Sequence, residues 1–226
     1  MPLDTPLASA LDGYARNDLG GDAAWHEAFF AFLRDPELER RVGQEFFTAR
    51  YLYKIFEGLR LADQWAIRAQ VQLQVQQYAS IYEACLHHLL FSELGATEVV
   101  RRLLVQPRFL EYPAPQGIRD ALAEHGHAQE PPVVAFPASR KIVPQADTRV
   151  RFEHKADAAV ALGIIEQDLA DELKGFYAAR NLIHIHAELA KGQSWEWKLE
   201  YAGSAYWRLQ ALKDQVEEWR VRTDSA

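Results

Sequence analysis

The run from Arg180 to His186 reads Arg-Asn-Leu-Ile-His-Ile-His and brings together three kinds of side chain that can act on a phosphodiester. Histidine transfers protons near neutral pH because its unperturbed pKa is about 6.5. Arginine carries a permanent charge and a fork of N–H donors that matches phosphate oxygens. Asn181 can donate to a phosphate or hold one histidine tautomer. These residues are a sufficient set for cleaving RNA without a metal, by attack of a ribose 2'-hydroxyl.

Two other interpretations of the same histidines have to be weighed. His184 and His186 can be structural residues, and the spacing alone leaves that reading open. A shared metal ion would need a strand, where residues i and i+2 point the same way. The flanks DELKGFYAAR and AELAK are helix formers, and on a helix the two rings lie about 200° apart. The histidine pairs His87-His88 and His125-x-His127 are far away in sequence. A metal site is therefore disfavoured.

The elements that must position this run are helical. Asp22 is placed to begin a helix that ends at Asp35-Pro36, and leucines and aromatics at helical spacing predict a second helix over 37–63. The longest pattern, 64–93, has no Gly or Pro and places apolar residues on one face at a 3.6-residue period. Two shorter helices are expected in 97–130. Helical patterns resume before 168–190 and again over about 195–222.

Two segments break this pattern. The first ~20 residues are interrupted by prolines and glycines and predict no regular element. Residues 131–151 are rich in proline, β-branched pairs and cations, which predicts an ordered loop with a short strand pair at Val133–Phe136 and Arg149–Phe152. The fold class is therefore all-α: a helical bundle with an N-terminal helical extension over 1–63 and a proline-rich loop insertion.

The chain resembles the HEPN family (higher eukaryotes and prokaryotes nucleotide-binding). Arg180-Asn181 followed by His186 is similar to the family's Arg-polar-x(3–5)-His signature. The preceding stretch, FEHKADAAVALGIIEQDLADELKGFYAARN, has the lysine, short helix and Gly-containing turn that come before the signature. The earlier helix with YASIYEACLHHLL is similar to the first core helix of the family, and Glu83 matches its acidic position near the arginine. The resemblance covers about 64–222, with 97–150 as an insertion into a domain spanning 64–226.

The resemblance implies a HEPN-like bundle that dimerises and places two Arg-Asn-x-His sites in one cleft. In many members this cleft is a metal-independent endoribonuclease that leaves a 2',3'-cyclic phosphate, in toxins or in antiviral and stress responses. The expected partners are then RNA, a second copy of the chain, and an antitoxin or other defence-system protein. Other members are catalytically inactive modules that bind a protein partner or a nucleotide, and this is the alternative function. The resemblance calls for no metal and no cofactor.

The identity of the reacting histidine is open. On an unbroken helix, His184 lies about 40° from Arg180 and His186 about 120° away. Family spacing favours His186, whereas helix geometry favours His184. We rank His186 first because a cleft shared by two subunits does not require one face of one helix. Glu83 either has the supporting role of orienting Arg180 or is an ordinary salt-bridging glutamate, and the sequence leaves both open.

Charge and composition limit the remaining possibilities. The net charge of −7 means that RNA binding would depend on a local patch. The cation-rich stretch that could supply it consists of Arg140, Lys141, Arg149, Arg151 and Lys155, although a solvated loop is the favoured explanation of these cations. The lone cysteine, Cys85, fits a small core residue in a reducing compartment. No apolar run approaches the roughly 18 residues of a membrane span, and the N-terminus lacks a basic leader. We expect a cytoplasmic protein with no membrane contact.

Overall fold

The computed structural model describes residues 3–111, 113–127, 137–181 and 198–225, most of which are helical. The α-helices, in chain order, are α1 (Thr5–Asn17), α2 (Ala23–Ala28), α3 (Pro36–Leu59), α4 (Gln64–His87), α5 (Glu98–Leu103), α6 (Gln116–His127), α7 (Phe152–Ala161), α8 (Gln167–Asn181) and α9 (Leu199–Asp224). Short 3-10 turns lie at Ala31–Leu33 and Asp147–Arg149, and a π-helical turn, His88–Glu93, continues α4. The expected helical class is confirmed.

Helix α4 lies at the centre and packs against α3, α7, α8 and α9. Its apolar stripe is buried, as the 3.6-residue period predicts, and the Tyr82 hydroxyl donates to the Ala205 carbonyl of α9. The buried face also carries Gln74, three residues after Val71 and four before Tyr78, and its side chain donates to the Ala49 carbonyl of α3 at 2.9 Å. Because four helices pack against α4, it is a rigid support for the residues it carries.

The hydrophobic core is continuous across residue 63, where the sequence predicts a boundary. Phe30, Leu33 and Phe46 from the N-terminal part are fully buried in the same cluster as Leu86 of α4 and Leu209 of α9. The N-terminal helices therefore contribute to the core that holds α4 in place.

The expectation of an irregular N-terminus is wrong for α1. Asp4 caps this helix, since its Oδ1 accepts a hydrogen bond from the Leu7 N–H at 2.9 Å. Pro6 lies in the first turn, where the helix has no use for the N–H that proline lacks. The same residue that interrupts a helix interior is thus compatible with this helix start.

The expected strand pair is also misplaced. The described strands are β1 (Val105–Glu111) and β2 (Ala138–Pro144), paired antiparallel so that Val105 faces Pro144 and Glu111 faces Ala138. Arg149 instead closes a 3-10 turn and Phe152 begins α7, while 133–136 lie outside the described residues. Pro107 is compatible with β1 because both strands of a two-stranded ribbon are edges.

No helix in the described ranges has both the length and the apolar content needed to cross a membrane.

Candidate functional site

Arg180 lies in the last turn of α8, and its guanidinium faces Glu83 of α4. The Arg180 Nη1 donates to Glu83 Oε2 at 3.0 Å, and each side chain is 29% exposed. The two residues are 97 positions apart. The packing of α8 on α4 therefore creates the pair and leaves part of the guanidinium open to solvent.

The other oxygen of the same carboxylate binds Lys155 of α7. The Lys155 Nζ donates to Glu83 Oε1 at 3.0 Å, and its side chain is only 3% exposed. Lys155 therefore does not belong with the solvent-facing cations among which the sequence placed it. Its charge is neutralised inside the protein, since an unpaired buried ammonium would be strongly unfavourable.

Tyr177 completes what we call the Glu83 cluster, namely Glu83, Lys155, Tyr177 and Arg180. The Tyr177 hydroxyl donates to Glu83 Oε2 at 3.1 Å, and its ring stacks on Phe152 of α7 with the centroids 4.4 Å apart. The Arg180 guanidinium carbon lies 5.1 Å from the centre of the Tyr177 ring. One carboxylate thus joins three helices and restricts the Arg180 side chain to a narrow range of positions.

The cluster has a net charge of +1, because two cations share one carboxylate. Burial raises the pKa of Glu83, but the hydrogen bond and charge of Lys155 and the hydrogen bonds of Arg180 and Tyr177 outweigh it and leave this pKa below its ordinary value. Burial and the charge of Glu83 raise the pKa of the Tyr177 hydroxyl, which therefore stays protonated at neutral pH. The cluster can attract an anion while its own carboxylate remains ionised.

A cavity of about 630 Å³, which we call the α4 cavity, opens beside the cluster between α3, α4 and α7. Its walls include Asp35, Arg41, Glu83, His87, His88 and Lys155. The cavity therefore presents charged and imidazole groups among apolar ones and adjoins the carboxylate that holds Arg180.

His87 is a residue of this region that the sequence interpretation passed over. It follows Glu83 by one helical turn, and its Nε2 lies 3.8 Å from Asp147 Oδ2. Burial and the nearby charge of Lys155 lower the pKa of His87, so the ring is neutral at pH 7 and able to accept a proton. The Glu83-x-x-x-His87 spacing was the available signal, since residues i and i+4 share a helix face.

The remaining predicted residues are distributed as follows. Asn181 is exposed at the end of α8, next to Arg180. His184 and His186 lie outside the described residues. Arg140 and Lys141 are exposed on β2, and Arg149 and Arg151 are exposed just before α7. The structure brings Glu83 and Arg180 together and separates Lys155 from the other four cations.

In the described ranges, no group of three His, Cys, Asp or Glu side chains is arranged to hold a metal ion.

No protein-family model, curated protein or solved structure matches this chain.

Proposed function

We propose that this protein is a metal-independent endoribonuclease of HEPN type, acting as a toxin or as a phage-defence or stress effector. The observation that carries the proposal is the Arg180 side chain. Its guanidinium is partly exposed, is held by Glu83 in a cluster of net charge +1, and immediately precedes Asn181, His184 and His186 in the chain. A positioned, solvent-accessible arginine next to histidines is what the cleavage of a phosphodiester requires.

In the proposed reaction, the ribose 2'-oxygen attacks the adjacent phosphorus while a histidine takes its proton. The P–O2' bond forms and the P–O5' bond breaks, and a second acid protonates the departing 5'-oxygen. The products are a 2',3'-cyclic phosphate and a 5'-hydroxyl. Arg180 stabilises the negative charge that develops on the phosphate oxygens, Asn181 positions the reacting groups, and His186 or His184 transfers the protons.

The proposed active form is a homodimer, with two Arg-Asn-x-His sites in one cleft. The second histidine needed as acid or base then comes from the other subunit. An antitoxin or another defence-system protein is the proposed partner that controls it.

The alternative, a catalytically inactive HEPN module that binds a protein partner or a nucleotide, also has an observation in its favour. Glu83 neutralises one of the two cations of its cluster and accepts hydrogen bonds from both. Such a pairing also fits a purely structural role. The two functions differ in whether RNA is cut.

The test is incubation of labelled RNA with the protein and an excess of chelator. We expect cleavage that leaves cyclic phosphate ends, and a loss of about a hundredfold or more in Arg180→Lys, because lysine cannot make the forked contact. The matched control is Arg208→Lys, which alters another Arg–Glu pair, to Glu172, between α9 and α8.

Full cleavage by Arg180→Lys, or equal losses in both variants, would contradict the assignment. No cleavage by the unmodified protein, together with its recovery bound to a protein or a nucleotide, would favour the alternative.

A further inference from the structure

A groove of about 510 Å³ lies between β1 and the start of α7, on the other side of the segment that borders the α4 cavity. We call it the arginine groove. Among the described residues, its charged and imidazole side chains are Arg102, Arg108, Arg149, Arg151 and His154, and none of the described residues that line it is a carboxylate. In a chain of net charge −7, a groove lined by four arginines is a strong local reversal of sign.

Three of these arginines have no ion-pair partner in the described part of the chain: Arg108, Arg149 and Arg151 are exposed and make none there. Arg102 is the exception, with its Nε 2.9 Å from Glu98 Oε1. Mutual repulsion among these like charges opposes folding. An anionic ligand bound in the groove would offset this repulsion.

The adjoining ribbon continues the same pattern. In the register of β1 and β2, Arg108 is directly opposite Lys141 and Phe109 is opposite Arg140. Like charges at directly opposed positions destabilise a strand pair. Phe109 is 73% exposed. Because successive side chains of a strand point to opposite faces, Phe109 and Arg140 share one face of the ribbon and Arg108 and Lys141 share the other. Cations near an exposed aromatic ring are typical of a surface for single-stranded nucleic acid.

We infer that the arginine groove and this ribbon bind the sugar–phosphate backbone of single-stranded RNA and guide it towards Arg180. Guanidinium groups in the groove contact the phosphates, and Phe109, on the other face of the ribbon from Arg108, stacks on a base where the strand passes around the ribbon. This inference deepens the proposed function and rests on it for the choice of RNA over an acidic peptide.

Helix α7 connects the groove to the site. Arg151 and His154 line the groove, while Phe152 stacks on Tyr177 and Lys155 binds Glu83. Arg151 and His154 precede Phe152 and Lys155 by one residue each, and one residue corresponds to about 100° around a helix. One short helix thus forms a wall of the groove on one side and part of the Glu83 cluster on the adjacent side.

The experiment measures binding separately from cleavage. The probe is a fluorescent 2'-O-methyl RNA of about 12 unpaired nucleotides, which lacks the attacking hydroxyl, and its anisotropy is followed between about 50 and 200 mM salt. We expect Arg108→Gln/Arg151→Gln to weaken binding about tenfold or more at low salt and to reduce the salt slope by about 1.4, or 0.7 for each lost phosphate contact. Phe109→Ala is expected to lower affinity for this strand several-fold without changing the slope.

The matched control is Arg40→Gln/Arg60→Gln, which removes the same charge from exposed arginines outside the groove. Circular dichroism checks that each variant is folded. Equal affinities in the two double variants, an absence of binding by the unmodified protein, or displacement of RNA by an acidic peptide at equal concentration would overturn the inference.

The outcomes also separate this inference from the proposed function. If RNA binding depends on the groove but ordinary RNA is not cleaved, the binding inference is supported and the proposed nuclease function is contradicted. If Arg108→Gln/Arg151→Gln cleaves RNA with an unchanged KM, the proposed nuclease function is supported and the binding inference is contradicted.

Discussion

At the scale of single residues, Glu83 organises the candidate site. Its carboxylate accepts hydrogen bonds from Lys155, Tyr177 and Arg180, so the position of the Arg180 charge depends on a residue of another helix. Of the three donors, Lys155 depends on it most, because the other two retain access to water. Removing the Glu83 carboxylate and removing the Lys155 ammonium should therefore change the free energy of unfolding by unequal amounts.

We expect Glu83→Gln to lower the free energy of unfolding by about 3 kcal/mol, because it leaves the Lys155 ammonium buried without a counter-charge. Lys155→Met should cost about 1 kcal/mol or less, since it removes the buried charge and fills a similar volume. Urea unfolding of the two variants measures the difference. Equal losses would show that the pair does not have this asymmetric role.

The same comparison has a defined pH dependence. The folded-state pKa of Glu83 lies below its ordinary value of 4.5. The stabilisation of the folded protein by the ionised Glu83 carboxylate is therefore complete above pH 4.5 and is lost as the pH falls through the folded-state pKa. The stability difference between the unmodified protein and Glu83→Gln should therefore be constant near neutrality and shrink below pH 4.5. Urea titrations at several pH values test this, and a difference that grows on acidification would contradict it.

His87 provides a second prediction at this scale. Burial and Lys155 lower its pKa, while Asp147 and Glu83 raise it and the neighbouring His88 lowers it slightly. Lys155→Met should therefore move the pKa of His87 up, and Glu83→Gln should move it down. Titration of the ring protons by NMR measures both shifts. Shifts of the same sign in the two variants would mean that these charges do not control the ring.

At the scale of elements, the close approach of α2 to α3 depends on Gly43. A Cβ at this position would lie 2.7 Å from the Glu27 Cα and 2.9 Å from its N, which is backbone that cannot move aside easily. Gly175, in the helix that carries Arg180, has open space where its Cβ would be. The two glycines are therefore a matched pair for separating packing from helix propensity.

We expect Gly175→Ala to raise the free energy of unfolding by about 0.5–1 kcal/mol, since alanine is the better helix former. Gly43→Ala should lower it by about 1–3 kcal/mol, because the steric overlap of the new Cβ with the Glu27 backbone costs more than the gain in helix propensity. Thermal and urea unfolding give both values. Stabilisation by both substitutions would show that α2 can move away from α3 at little cost.

The sequence predicts most helices well but fails where local signals are ambiguous. The 3.6-residue period of α4 is a long signal, and tertiary packing agrees with it. Pro6 is one of the prolines that predict an interrupted N-terminus, yet it lies in the opening turn of α1. Pro107 lies in an exposed strand that the expectation of two short helices in 97–130 does not include. The Glu83 cluster joins residues up to 97 positions apart, which no local pattern encodes, so the sequence places Lys155 with the exposed cations. His87 is a different case, because its spacing of four residues from Glu83 is a local signal that the sequence interpretation did not use.

At the scale of the whole molecule, Arg220 holds the two ends of the chain together. Its buried guanidinium donates to the Phe32 carbonyl and to Glu93 Oε1 of the π-helical turn, both at 2.6 Å. One side chain of α9 thus connects the N-terminal region with the end of α4. Together with the continuous core, this contact favours cooperative unfolding.

We expect a single unfolding transition that coincides by circular dichroism and by tryptophan fluorescence, since Trp25 and Trp219 lie in opposite parts of the chain. Arg220→Met should lower its free energy by about 3 kcal/mol, because Glu93 and the Phe32 carbonyl lose their shared donor. Two separate transitions in the unmodified protein would instead make residues 1–63 an independent unit.

The burial of Cys85 makes the opening of α4 measurable by a thiol-labelling reaction. This residue is the one cysteine of the chain, it is fully enclosed, and it lies between Glu83 and His87. Burial also raises the pKa of its thiol, so a thiol reagent can react only after α4 has opened. The rate of Cys85 labelling therefore reports how often α4, which carries Glu83 of the candidate site, opens locally. A bound RNA strand should slow that rate if it closes over the same helices.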